Sequence, residues 1–173
     1  MRNLKYPFQQ GYLDSLCGIY SMLNANRLVN NVSYENSQPL FNYIISFLYK
    51  KRLLQRVIIE GINHRNFSNL MNAVGANLFP LMEANKKGFS KLNEWWEYTK
   101  QFMEEKPNRA VILSIGGLHD HLTVIQKMTD KMMILFDSDG FKTIRKSSCK
   151  IQGYSKPDKY VIYYSQCWYL GKE

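Results

Sequence analysis

Residues 10–20 read Gln10-Gly11-Tyr12-Leu13-Asp14-Ser15-Leu16-Cys17-Gly18-Ile19-Tyr20. Leu16, Ile19, Tyr20 and Leu23 recur at helical spacing, and Asp14 or Ser15 is a good N-cap for a helix over residues 15–28. Cys17 then falls in the first turn, beside unpaired backbone N–H groups and the positive end of the helix dipole. Both favour a thiolate, which is the nucleophilic form of cysteine. The backbone N–H of Cys17 can donate to a developing oxyanion, and the upstream side-chain amide of Gln10 can supply a second donor. Gly18 presents no side chain to an approaching substrate carbonyl. Most free cysteines are small buried hydrophobes; the glutamine, the capping residues and the glycine set this one apart.

A base for that thiol is found by hairpin geometry. His121-Leu122-Thr123-Val124-Ile125 and residues 131–137 both read as strands, separated by the polar Lys127-Met128-Thr129-Asp130. A tight turn near Thr129 and Asp130 sets His121 opposite residue 138, give or take two, and so within reach of Asp137. A carboxylate on one imidazole nitrogen orients the ring and stabilises its protonated form. Asp139 has the same strand parity and is the second candidate for that role. Taken singly, His121 also suits a half-buried strand histidine, and Asp137 suits the turn Asp137-Ser138-Asp139-Gly140. His119 shares the parity of His121, but no cysteine or carboxylate at suitable spacing completes a metal site around the pair. Neither a metal nor an organic cofactor is expected.

Together these pieces resemble the papain-like cysteine peptidases. The similarity is greatest to the double-glycine leader peptidases of bacteriocin-exporting transporters and their stand-alone relatives. The resemblance rests on Gln10 with Asp14-Ser15-Leu16-Cys17-Gly18, on His121 with its alternating apolar strand, and on Asp137-Ser138-Asp139-Gly140. It implies a papain-like fold with Cys17 as nucleophile, His121 as base, Asp137 as orienter and Gln10 as the oxyanion-hole side chain. The family's glutamine usually lies six residues before the cysteine; here Gln10 lies seven before, and Gly11 stands at the family position.

At 173 residues the chain is long enough for a full core and is expected to form one domain. A hydrophobic fraction of 45% and an aromatic fraction of 14% exclude a disordered chain. No apolar run reaches membrane-spanning length, and Met1–Pro7 lacks a signal-peptide core. The expected location is cytoplasmic, or outside the cell by a route without an N-terminal signal. Cys17, Cys149 and Cys167 are an odd set without short paired spacing, suggesting neither a disulfide framework nor zinc. The net charge of +9 is spread over Lys50-Lys51-Arg52, Lys86-Lys87, Lys142, Arg145, Lys146 and Lys150 without a nucleic-acid-binding signature. A solvated basic surface, suited to an acidic partner, is the simpler reading than nucleic-acid binding.

Further helical stripes run through residues 41–55, 67–75 and 92–106. Strands are expected at 109–115, 120–127, 131–137 and 159–166, with Gly116-Gly117 turning the chain before the histidine strand. Trp95 and Trp96 read as core and flank, and His64 as an exposed loop or helix start. Helices followed by an antiparallel sheet make an α+β fold, with the nucleophile helix packed on the sheet. The expected activity is hydrolysis of peptide or isopeptide bonds in a protein or peptide substrate, through an acyl-thioester on Cys17. Deamidation or transglutamination of a protein glutamine uses the same triad. A catalytically silent peptide-binding module is the reading from a different class.

Overall fold

In the computed structural model, which describes residues 6–84, 87–152 and 158–172, helix α1 (Cys17–Asn30) lies at the centre. Ile19, Met22, Leu23, Ala25 and Val29 are buried almost completely along it. α1 therefore contacts other elements over much of its girth: strand β3 (His121–Met128) and strand β2 (Ala110–Gly117) on one side, helix α2 (Tyr34–Lys50) on another. Ser21 fixes the helix to the sheet by donating its buried hydroxyl to Leu122 O at 2.7 Å.

Two shorter helices complete this side, α3 (Leu54–Glu60) and α4 (His64–Val74). Caps start two of the helices: Ser33 accepts from Asn36 N ahead of α2, and Asn63 accepts from Asn66 N ahead of α4. The stripe expected over residues 41–55 is thus the end of α2 plus the start of α3, with Arg52 at φ +57° between them. His64 is the first residue of α4.

The sheet runs β1 (Leu81–Ala84), β8 (Trp168–Gly171), β2, β3, β4 (Met132–Leu135) and β5 (Thr143–Arg145), every pair antiparallel. Strand β7 (Tyr160–Ile162) also pairs with β2, and β6 (Cys149–Ile151) runs parallel to β7. Strand alternation divides β2 and β3 between two cores. Ala110, Ile112, Leu122 and Val124 face α1, while Val111, Leu113, Ile115 and Ile125 face the second layer with Trp95 and Trp96. That layer contains helix α5 (Leu92–Glu105), on which both tryptophans are fully buried. Trp96 is therefore core rather than flank, and its Nε1–H donates to Thr129 O at 2.8 Å.

The architecture is mixed α+β, with five α-helices among the described residues and a sheet that is antiparallel except for β6 with β7. β1 precedes α5, so the chain does not separate cleanly into helices first and strands afterwards. No helix among the described residues is long and apolar enough to cross a membrane.

Candidate active site

The loop before α1 is shaped by one carboxylate. Asp14 Oδ2 accepts from Gly11 N at 2.8 Å and Oδ1 from Leu16 N at 3.1 Å. Ser15 is held elsewhere, its N–H on Ile58 O at 2.9 Å and its hydroxyl on Ile59 O at 3.1 Å. Neither residue caps α1 in the expected way: Leu16 occupies the N-cap position without a side-chain bond, and Cys17 is the first helical residue. The shift moves the thiol to the very end of the helix, where backbone N–H groups have no intrahelical acceptors. Packing leaves no room for a side chain at Gly18. A Cβ there would lie 2.4 Å from Ile62 Cγ2 and 3.1 Å from Leu122 Cδ1.

His121 opens strand β3, opposite Ile115 of β2. The turn that delivers it needs Gly117, whose φ is +83° and where a Cβ would meet Lys159 O at 2.3 Å. Asp137 leaves strand β4 after a register shift near Ile125, and Phe136 N donates to Val124 O at 2.8 Å. Asp137 Oδ1 accepts from Asp139 N at 2.8 Å and from Phe141 N at 3.1 Å, so the turn itself fixes the carboxylate. Oδ2 meets His121 Nε2 at 2.7 Å, with both side chains essentially excluded from solvent.

An ionised carboxylate only accepts, so Nε2 of His121 carries the proton and Nδ1 is left to exchange one with a thiol. Cys17 lines the same pocket as the ring. Burial alone pulls the imidazole pKa down. The bond to Asp137, with its negative charge, and the neighbouring Cys17 sulfur outweigh it and raise the value from 6.5 to about 9. Burial likewise pushes the Asp137 carboxyl up, and the His121 bond and charge bring it below its ordinary value. Phe141 lies 5.8 Å from the His121 ring at 34°, an apolar cover beside the buried pair.

Asp139 does not reach His121. Its carboxylate lies 3.5 Å from His119 Nε2, and both side chains are roughly two-fifths exposed. The His119 and His121 rings are 5.3 Å apart, and no group of three metal-ligating side chains occurs among the described residues.

Gln10 is bound to the acid's turn. Its N–H donates to Ser138 O at 2.9 Å, and its Oε1 accepts from Ser138 Oγ at 3.5 Å. Its Nε2 has no partner among the described residues. Gln9 Nε2 donates to Asp137 O at 3.1 Å. Asn24 of α1 holds Phe8 through both its N–H and its carbonyl, at 2.7 and 3.1 Å. The segment bearing the two glutamines is thereby strung between α1 and the turn after β4. Gln9 is the sequence's second candidate for the oxyanion donor, and Ser138 falls in its expected turn; Phe141 has no role in the sequence reading, and the Asx-type turn at Asp137 is the signal that its neighbours are held in place.

A pocket of about 350 Å³ opens at Cys17 and His121, with Asn63, Ser114, Asp120 and Tyr163 on its walls. Gln10 is not part of that wall. Cys149 and Cys167 are buried elsewhere, and burial pushes each thiol up to about 12, leaving Cys17 as the partly exposed one. No family model, curated protein or solved structure matches the chain.

Proposed function

We propose that the protein is a thiol hydrolase of peptide or isopeptide bonds with a papain-like arrangement, and that residues 1–173 act as one domain. The observation that carries this reading is the buried His121–Asp137 bond of 2.7 Å, with the Cys17 thiol on the wall of the same pocket. Such a geometry transfers the thiol proton to Nδ1 and leaves a thiolate paired with an imidazolium.

The thiolate sulfur attacks the scissile carbonyl carbon, and the C=O electrons pass to oxygen. The Cys17 backbone N–H and Gln10 Nε2 are the donors assigned to that oxyanion. Collapse breaks the C–N bond, and His121 gives its proton to the leaving amine. Water then adds to the thioester, with His121 as base, and releases the acid and the thiol. The pocket is open, and Leu13, Ile59 and Leu118 are largely exposed on the segments around it, which suits a polypeptide substrate.

The test is incubation with a mixture of unfolded proteins and mass-spectrometric mapping of new termini. Wild type generates new termini and Cys17→Ala does not, while the two melt at nearly the same temperature. Glutamine deamidation or cross-linking in place of cleavage moves the assignment to a deamidase or transglutaminase with the same triad. No covalent change in any protein leaves a silent peptide-binding module.

A further inference from the structure

Lysine and arginine make up 23 of the 173 residues, and the net charge is +9. None of them lines the pocket at Cys17 among the described residues. Its charged walls are instead carboxylates, Glu60 and Asp120, together with His64 and His121. Partial burial lowers the His64 pKa, so that ring is neutral at pH 7. The His121 charge is met by Asp137 within the site.

The two carboxylates differ. Glu60 already holds Arg56, with Arg56 Nε 2.7 Å from its Oε2. Asp120 has no ion pair among the described residues, and it immediately precedes His121. Its position is determined by a missing side chain. A Cβ on Gly116 would lie 2.8 Å from Asp120 Oδ1 and 2.6 Å from Tyr163 Oη. The bare glycine therefore lets a carboxylate and a phenol fold over the end of β2, on the wall of the same pocket.

We infer that Asp120, with the Tyr163 hydroxyl beside it, is a specificity-determining residue that receives a cationic side chain of the substrate close to the scissile bond. The inference rests on the catalytic reading above and names its substrate class: a polypeptide with Lys or Arg next to the bond that is cut. A carboxylate without a partner, in a cleft on a basic molecule, attracts a cation and repels an acidic side chain. The free-energy difference is that of a partly solvated ion pair, equivalent to about a fivefold preference at low salt. It shrinks as ionic strength rises.

The test uses peptidyl acyloxymethyl ketones that differ only in carrying Lys, norleucine or Glu, at the residue next to the reactive ketone or at the one before it. Cys17 sulfur displaces the acyloxy group: a C–S bond forms, a C–O bond breaks, a carboxylate departs, and the thiol proton stays on His121. The second-order inactivation rate is read for each reagent. In wild type the Lys reagent is expected to react about fivefold faster than norleucine at one of the two positions, and Glu slowest. Asp120→Asn should bring the Lys-to-norleucine ratio close to one, and Asp120→Glu should keep it. Equal or faster norleucine labelling in wild type at both positions overturns the inference, as does an unchanged ratio in Asp120→Asn. If no reagent labels wild-type Cys17, the catalytic reading itself fails and the inference falls with it.

Discussion

The Ser138 hydroxyl donates to Gln10 Oε1 at 3.5 Å, one residue after the carboxylate that holds His121. One turn therefore orients both the imidazole and the amide. With its oxygen on Ser138, Gln10 keeps Nε2 as the free end, off the wall of the pocket at Cys17, so its proposed role as oxyanion donor is decided by mutation. Asp14 shapes the loop between Gln10 and Cys17 by accepting from both Gly11 N and Leu16 N.

Gln10→Ala is expected to lower kcat by roughly two to three orders of magnitude, the usual loss for one preorganised donor. KM should change little, because that bond strengthens mainly in the transition state. Gln9→Ala should have a much smaller effect on kcat, since Gln9 Nε2 is committed to Asp137 O. Steady-state kinetics on a peptide mapped in the cleavage experiment decides, and a larger loss in Gln9→Ala would transfer the role to that residue.

The raised His121 pKa makes stability pH-dependent, with a definite sign. A histidine that gains a partner on folding contributes its full stabilisation below the unfolded value near 6.5, and loses it as pH rises through the folded value near 9. Urea denaturation of wild type should show stability falling across that window, by on the order of 3 kcal/mol. In Asp137→Asn the slope should flatten, and the His121 Cε1–H resonance should titrate at lower pH. Asp139→Asn should leave the His121 titration nearly in place, because that carboxylate faces His119. A larger change in Asp139→Asn than in Asp137→Asn contradicts the assignment.

Gly18→Ala tests why a glycine follows the cysteine. The added methyl would press on Ile62 at 2.4 Å, a contact no real Cβ makes. Overpacking of this kind costs about 1–3 kcal/mol. The melting temperature should fall in Gly18→Ala and hold in Cys17→Ala. An unaffected Gly18→Ala would return the glycine to a role in substrate access.

The residues of the site stand out in the sequence because each sits where strong local signals meet: a helix start at Cys17, a strand start at His121, a turn at Asp137. α1 starts at Cys17 rather than at residue 15 because Asp14 and Ser15 bind Gly11, Leu16 and α3 instead of capping the helix. The expected strand over 159–166 ends at Ile162, where a helical turn over Tyr164–Gln166 precedes β8. Strands β5, β6 and β7 have three residues each, too few to show an alternation, and β7 is held by pairing with the distant β2. The pocket wall made by Asp120 and Tyr163 over Gly116 is non-local, since it forms only when β2 and the segment after β7 come together.

The most direct measurement is the rate of carboxamidomethylation of Cys17 by iodoacetamide at pH 7, compared between wild type and His121→Ala. The account predicts that Cys17 alone is modified in the folded wild type, with the buried Cys149 and Cys167 untouched, and that its rate falls at least about tenfold when the base is removed. A folded His121→Ala in which Cys17 reacts as fast as in wild type would contradict the coupling between thiol and imidazole on which the proposed catalysis depends.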